Sequence, residues 1–595
     1  MVYLRRSKKM KNRSWLIFVV FSLFFIISCG GDENTSVQED ADDADSENIA
    51  VSIRAAGDGS CTGMQIDCLS QQLAAVSFQI KNGEGETVFQ KSVERKELAD
   101  KNVKLTGIKN TENATLIVSV FGMNESGVAD LNTPKWEGKA SGLKFEKGKT
   151  TSVTVLLYPK SVQSQELTMP EELTIARFGH TSTVLADGRL LIAGGFTMCS
   201  SLGKCPASET VEIIDFESGK TELLTNMTEK RAMHTAIALN DGSVLFIGGI
   251  QTLDINWQET PFEGFPLMRY TPSTAAVKIE KYMPPYPKHN MKENGFGSPV
   301  ANISEPVATP SNVPFSAFQS VLAERISDSE IAVFLVGGLD ENGVPSKKSY
   351  KFIITETEEG TVSAGEISEL AESSEPMLLP ALAYSNGSLI AAGGRPAGSE
   401  HAASVISESG SEDFGSAEDN IFFMQSIAAN GNLYTFGGYE TDSKTKSFIT
   451  SKHKLDENGD EMLDAQGNPI TETRLNRNRK WDIAGKSVTT AKDLLLSHDT
   501  NVIFPGTAYD RKNNRFLIIG GTNAHNIYQA INVDSLSLYD KPTTHIMSNE
   551  QRIMPSAAII PAGVIGDNPV IVITGGTNAL NNTGSAVKTV KINNL

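Results

Sequence analysis

Tryptophan and histidine are scarce, at four and eight among 595 residues, and cysteine occurs five times. Neither Gly-x-Ser-x-Gly nor His-Glu-x-x-His occurs, so the nucleophile elbow and the helical zinc-protease motif are both missing. Basic charge is short as well: 53 Lys and Arg stand against 71 Asp and Glu, a formal net charge of −18. A body this acidic repels nucleic acid and anionic headgroups, so no nucleic-acid partner is expected. Glycine is plentiful at 50 residues, and 39% of the chain is hydrophobic against 21% charged. That mixture excludes collagen-like, coiled-coil and wholly disordered chains. The length exceeds what one compact core can use and implies either several domains or one large repeat domain.

The first 28 residues hold six basic residues (Arg5, Arg6, Lys8, Lys9, Lys11 and Arg13) and no acidic one. Trp15 to Ile27 comes next as an apolar stretch broken only by Ser22, too short to span a bilayer comfortably. Residues 1–28 thus read as an export signal. Its end, Ile26-Ile27-Ser28-Cys29-Gly30, resembles the bacterial lipobox, in which the lipidated Cys becomes the first residue of the mature chain. The resemblance implies acylation at Cys29, with palmitate among the acyl chains, and attachment to a membrane through that anchor. Gly30 stands where Asp would favour inner-membrane retention, so the resemblance implies an outer-membrane lipoprotein, with the leaflet open. Without the six basic residues of the leader the formal charge falls from −18 to −24. Residues 29–48 carry eight acidic residues and no basic one, and read as a disordered, self-repelling tether.

The remaining cysteines form two local pairs, Cys61 with Cys68 and Cys199 with Cys205. An exported compartment permits both as disulfides, each contributing about 2–3 kcal/mol by loop-closure entropy. The rival is a four-thiolate metal site, but the spacings are wider than those of zinc sites and no His lies close by. Neither a metal nor another cofactor is expected.

Residues 49–160 alternate in strand fashion. Ala50-Val51-Ser52-Ile53, Ala75 to Ile80, Thr115 to Val120 and Ser152 to Leu157 place β-branched residues at period two, with turns such as Asn82-Gly83-Glu84-Gly85 between them. This predicts a small immunoglobulin-like or transthyretin-like β-sandwich that spaces or presents the larger domain beyond it. Gly142 to Thr150 approximates a phosphate-binding loop, but its gap is one residue too long and strands flank it, so a hairpin turn is the better reading.

Residues 164–595 repeat. A short apolar strand ends in Gly-Gly seven times: Gly194-Gly195, Gly248-Gly249, Gly337-Gly338, Gly393-Gly394, Gly437-Gly438, Gly520-Gly521 and Gly575-Gly576. Most intervals lie near 50 residues, the period of propeller blades. Asp187-Gly188, Asp241-Gly242, Asn386-Gly387 and Asn430-Gly431 supply upstream hairpin turns. Downstream come two more strands, as in Val211 to Asp215 turning at Ser218-Gly219 into Thr221 to Leu224. These residues resemble kelch repeats, although Leu or Ile stands where that family carries an outer-strand Trp. The resemblance implies an all-β, kelch-type β-propeller of seven blades. Each Gly-Gly is expected to let the chain turn sharply where the next blade packs close. The last repeat ends early, so residues 164–169 are expected to complete the seventh blade and latch the ring.

Arg177-x-x-His180 and Arg231-x-x-His234 recur 14 residues (counted from His) before a Gly-Gly, and Arg552-x-x-Pro555 holds the same place in the last repeat. Recurrence at equivalent positions favours inter-blade bonding over a catalytic site. Two repeats are long. Their insertions, about 250–314 and 440–500, display Trp257, Phe262, Phe265, Tyr270, Tyr282, Tyr286 and Trp481 as candidate binding-loop residues. Asp456-x-Asn458-x-Asp460 echoes a calcium loop, but Glu461 and Gly467 occupy positions the loop reserves for Gly and Glu, so a hairpin fits better.

Together these features predict a monomeric, non-catalytic binding scaffold for a protein or glycan partner. The alternatives are a carbohydrate-active propeller enzyme of the oxidase or isomerase type, or a purely structural envelope protein. The oxidase would need a Cys cross-linked to Tyr, and all five cysteines have other assignments. The Asp-box of sialidases is absent. No catalytic residue is assigned.

Overall fold

The computed structural model describes residues 47–56, 73–94, 102–160 and 167–594, apart from scattered single residues and the stretches 200–203, 255–278, 286–302, 308–315, 317–318, 358–360, 441–451, 454–461, 469–470, 473–477, 491–504, 522–525, 533–544, 548–551 and 579–585. The export signal, Cys29, the tether, Trp257, Phe262, Phe265, Tyr270, Tyr286 and Asp456 to Asp460 lie outside the described residues. So do Cys61 and Cys68. Of the two expected disulfides, the structure therefore contains the one between Cys199 and Cys205, whereas the pairing of Cys61 with Cys68 rests on their spacing in the sequence.

The alternating stretches of the N-terminal region become β1 (Glu47–Ala55), β2 (Leu73–Lys81), β3 (Thr87–Glu94), β4 (Asn102–Ile108), β5 (Thr111–Met123), β6 (Ala129–Phe145) and β7 (Thr150–Pro159). They form one sheet in the order β3-β2-β5-β6-β7-β1-β4. β1 and β7 run parallel, and β6 is in ladder register with β7 at Trp136↔Pro159 and Glu137↔Tyr158. Both flanks feed a single core: Ile49, Val51 and Ile53 of β1 pack with Val76, Phe78 and Ile80 of β2 and Leu116, Val118 and Val120 of β5. Period-two burial is what places these residues on one face.

Beyond this sheet the described residues make seven antiparallel sheets with four principal strands each, one per Gly-Gly repeat, besides short two-stranded ladders. Six of them run from Thr181 to Leu223, Thr235 to Pro306, Gln319 to Ala364, Ala381 to Phe414, Gln425 to Thr490 and Gly506 to Met547. The seventh joins Ser556–Ile560, Val570–Thr574 and Val590–Asn594 to a fourth strand taken from Leu167–Thr168, with Thr168 opposite Lys591 and Leu167 opposite Ile592. The first strands of successive sheets touch one another in turn, and the first strand of the seventh touches Thr181–Val184 of the first. The fold is therefore all-β and β-propeller-like. Second strands such as Leu190–Ala193 and Val244–Ile247 are buried throughout, because a neighbouring blade covers each face. That explains their unbroken apolar sequence.

The insertions are narrower than expected. Glu280–Met283 and Ile303–Pro306 are the third and fourth strands of the second blade, and Arg479–Asp482 and Ser487–Thr490 those of the fifth. Tyr282 and Trp481, expected in binding loops, are fully buried instead. The Tyr282 hydroxyl donates to the Thr225 carbonyl at 2.5 Å, and Trp481 Nε1 donates to Thr435 Oγ1 at 2.9 Å. Both are blade core, with their polar ends satisfied as buried Tyr and Trp require.

Strand direction sorts the connections onto two faces. Each Gly-Gly lies on one face, where second strands end and first and third strands begin. First and third strands end on the other face. The N-terminal region meets this second face: Leu156 N–H donates to the Glu217 carbonyl at 2.6 Å, in the turn after Val211–Asp215.

The Gly-Gly face as candidate functional site

The double glycines define the geometry of this face. Both members of every pair have positive φ, such as 63° at Gly194 and 93° at Gly195. A Cβ on Gly194 would sit 2.2 Å from the Arg231 carbonyl oxygen of the next blade. The same collision would occur at Gly337 with Met377, Gly393 with Ile421, Gly520 with Arg552 and Gly575 with Arg177. The second glycine then donates its N–H to that same carbonyl: Gly195 to Arg231 at 2.9 Å, Gly338 to Met377 at 2.8 Å, Gly394 to Ile421 at 3.0 Å, Gly521 to Arg552 at 2.7 Å and Gly576 to Arg177 at 2.8 Å. Each of these five pairs is thus a blade-to-blade rivet, and the bond from Gly576 to Arg177 joins the last blade to the first.

Beneath the rivets lies a set of buried guanidinium groups. Arg177, Arg231, Arg395 and Arg552 are among the largest fully buried side chains. Arg177 Nη1 donates to the Gly194 carbonyl at 2.6 Å and the Thr210 carbonyl at 3.0 Å, and Nη2 pairs with Glu212. Arg231 does the same in the second blade, donating to the Gly248 carbonyl and pairing with Glu280 at 3.1 Å. Glu212 and Glu280 occupy one register position, opposite the residue two before the first glycine. In the fourth blade Ser404 holds that position. There Met377 stands at the place of the motif arginine, and the guanidinium arrives from Arg395, directly after Gly394, to meet Ser404 and Asp413. In the fifth blade the register position is itself Arg479, which pairs with Asp419 at 2.7 Å. Arg395 and Arg479 escaped the sequence reading; their only signal was an arginine adjoining Gly-Gly or replacing the strand-three glutamate.

His180 and His234 bridge neighbouring blades. His180 Nε2 lies 2.8 Å from Thr574 Oγ1 of the seventh blade, and His234 Nε2 lies 2.9 Å from Thr181 Oγ1 of the first. Burial holds both rings well below the ordinary histidine range, with repulsion from Arg177 and Arg552 adding to it at His180, and from Arg231 and His180 at His234. Both are therefore neutral near pH 7. Thr574 is fully buried, so its hydroxyl–imidazole pair is closed to a substrate. Among the described residues no group of three or more His, Cys, Asp or Glu side chains could hold a metal ion.

The mouth of the ring on this face is apolar. Phe178, Phe196, Ala232, Ile250, Leu378, Phe422, Ile553 and Met554 belong to one buried cluster, with Met233 and Leu379 packed against it. Gly179, Met233, Leu379 and Met554 hold equivalent places and all have positive φ. Gly179 N–H donates to the Met554 carbonyl at 3.0 Å, and Met233 N–H to the Gly179 carbonyl at 2.8 Å, so a backbone collar passes from blade seven through one to two. Around it stand the loops to the third strands. Cys199 and Cys205 form their disulfide there, and Lys204–Pro206 pairs with Thr252–Asp254 of the next blade's loop. Met198, Val344 and Leu463, on the loops of blades one, three and five, expose 71%, 53% and 56% of their surface.

These features define an all-β, propeller-like protein with one riveted, loop-bearing face and a bonded, inaccessible polar layer below it. No family model matches the chain, and no curated protein matches it. Among solved structures it is similar to YjhT, at 10% identity and a TM-score of 0.32, over 71% of this chain and 96% of that one.

Proposed function

We propose that this chain is a lipid-anchored, kelch-type β-propeller of the cell envelope, probing its surroundings with the Gly-Gly face and binding a protein or glycan partner without catalysing a reaction. The N-terminal sheet acts as a β-sandwich module between the anchor at Cys29 and the ring. One observation carries the reading. The N-terminal region occupies the face opposite the Gly-Gly pairs, through contacts such as that of Leu156 with Glu217, while the exposed Met198, Val344 and Leu463 belong to loops of the Gly-Gly face. Exposed apolar side chains on loops held by a rigid scaffold suit contact with a partner.

The test uses the full chain expressed in a bacterial host, with a photo-crosslinking residue at Met198 or Val344 and, as control, at Ile326 in a turn of the opposite face. Specific adducts from the first two positions and none from Ile326 are expected; equal or absent adducts at all three would refute a binding face. Labelled palmitate should enter the wild-type chain and not Cys29→Ala.

A further inference from the structure

We propose that the N-terminal sheet is the clasp of the ring: it staples blade seven to blade one across the seam that a two-residue latch closes. The outer seam is thin. Among the described residues, Leu167 and Thr168 are the only latch residues in ladder register with blade seven, supplemented by Met169 N–H to the Val590 carbonyl at 3.0 Å and Leu173 N–H to the Lys588 carbonyl at 2.9 Å. The two sides of this seam lie more than 400 residues apart in the chain. Closing so long a loop costs entropy that a strand of two residues does little to offset.

The clasp grips both sides. Toward blade one, Tyr158 donates its hydroxyl to the Phe216 carbonyl at 2.9 Å, and Ser141 donates through N–H at 2.7 Å and Oγ at 2.8 Å to the Glu217 carboxylate. Arg54 pairs at 2.6 Å with Glu171, whose other oxygen accepts from Thr221 N–H of blade one at 3.0 Å. Toward blade seven, Lys160 pairs with Asp567 at 2.7 Å, and Lys139 donates to the Gly563 carbonyl. One buried cluster unites all the parts: Ala56, Leu156 and Tyr158 of the clasp, Leu167, Met169 and Leu173 of the latch, Leu190, Ile192 and Phe216 of blade one, and Ile565, Val572 and Ile592 of blade seven. β7 achieves this with two faces. Val153, Val155 and Leu157 fill the core of the N-terminal sheet, while Leu156 and Tyr158 fill the seam. The Tyr158 oxygen also lies 3.8 Å from Met169 Sδ, so one side chain touches both blade one and the latch.

Hydrogen exchange on the full chain tests this. The amides of Met169, Leu173 and Val590–Asn594 report the seam, and those of Leu389–Ala392 report blade four. Leu156→Ala should speed exchange at the seam about a hundredfold and leave blade four unchanged, because it empties a buried site facing the seam alone. Tyr158→Phe, which keeps the packing and deletes one hydrogen bond, should speed it about fivefold. This milder variant decides the matter if Leu156→Ala does not fold. Unchanged seam exchange in a folded variant, or an equal rise in blade four, would overturn the clasp.

Discussion

Glu212→Gln tests the buried polar layer most directly. Glu212 and Arg177 side chains are both fully buried. The carboxylate accepts from the guanidinium and also from Thr174 N–H at 2.6 Å and Ile175 N–H at 3.1 Å. Glutamine keeps the volume, removes the charge and turns one acceptor into a donor facing other donors. Leaving a buried charge without its counter-ion costs about 3–5 kcal/mol. Arg177 keeps its carbonyl acceptors at Gly194 and Thr210, so the expected loss is at the low end, about 3 kcal/mol. Arg177→Met should cost about 2–3 kcal/mol by stranding the carboxylate. The double variant removes the orphan charge and leaves backbone groups short of partners, a donor among Thr174 and Ile175 N–H and the acceptor Gly194 carbonyl, a cost of about 2 kcal/mol. It should therefore be more stable than Glu212→Gln alone, with a coupling of about 3 kcal/mol. Urea unfolding followed by circular dichroism reads these values as midpoint shifts at constant slope. Glu280→Gln with Arg231→Met repeats the cycle one blade on. A single-variant loss below about 1 kcal/mol, or a double equal to the sum of the singles within about 0.5 kcal/mol, would refute the view that these pairs are mutually dependent.

The rivets predict a contrast between glycines of like φ. Gly194→Ala would put Cβ 2.2 Å from the Arg231 oxygen and should lower stability by more than about 3 kcal/mol, whereas Gly387→Ala, with φ of 81° and open space, should cost about 1 kcal/mol of backbone strain. Similar thermal shifts for the two would show that neighbouring-blade contact is not what requires Gly194. The inter-blade histidines predict acid sensitivity. The folded state holds both neutral, while the unfolded chain protonates near 6.5, so stability is full above that value and declines as pH falls below it toward the folded pKa, by up to about 1.4 kcal/mol per pH unit for each ring. His180→Asn with His234→Asn should flatten the profile of melting temperature between pH 6.5 and lower values; a profile unchanged by the pair would remove the imidazoles from that role.

The repeat was legible because the physical demand recurs: every Gly-Gly has positive φ, and at five of the seven the first glycine lies beside another blade's carbonyl, which admits no other residue cheaply. Arg177 and Arg231 were legible as a motif for the same reason, since each bonds the carbonyl of the glycine that ends its own strand pair. In the fourth and fifth blades, though, a buried arginine stands elsewhere than at the motif position. Arg395 lies on the far side of Gly394, and Arg479 on the third strand, so a motif search along the chain misses both. Tyr282 and Trp481 were misread for a related reason. Each comes after a long stretch rich in turns and prolines or polar residues, yet the ladder resumes around it: Val244↔Tyr282 and Leu433↔Trp481 place both opposite second-strand core residues. The third strand is recognised by register with its partner, and the sequence between them sets no distance.

The N-terminal region makes the same point from the other side. Its early strands, such as Ala75 to Ile80, alternate strictly, as strands with one wet face do. β7 begins the same way at Thr151-Ser152-Val153-Thr154, then breaks into Val155-Leu156-Leu157-Tyr158 with no polar residue. Four consecutive buried side chains mean that neither face meets water. The break in alternation is therefore where the strand stops belonging to one module and begins to serve two. A spacer that merely presented the ring would have kept its polar face to the end. The loss of that face at Leu156 and Tyr158, beside the seam, ties the N-terminal sheet to the closure of the ring.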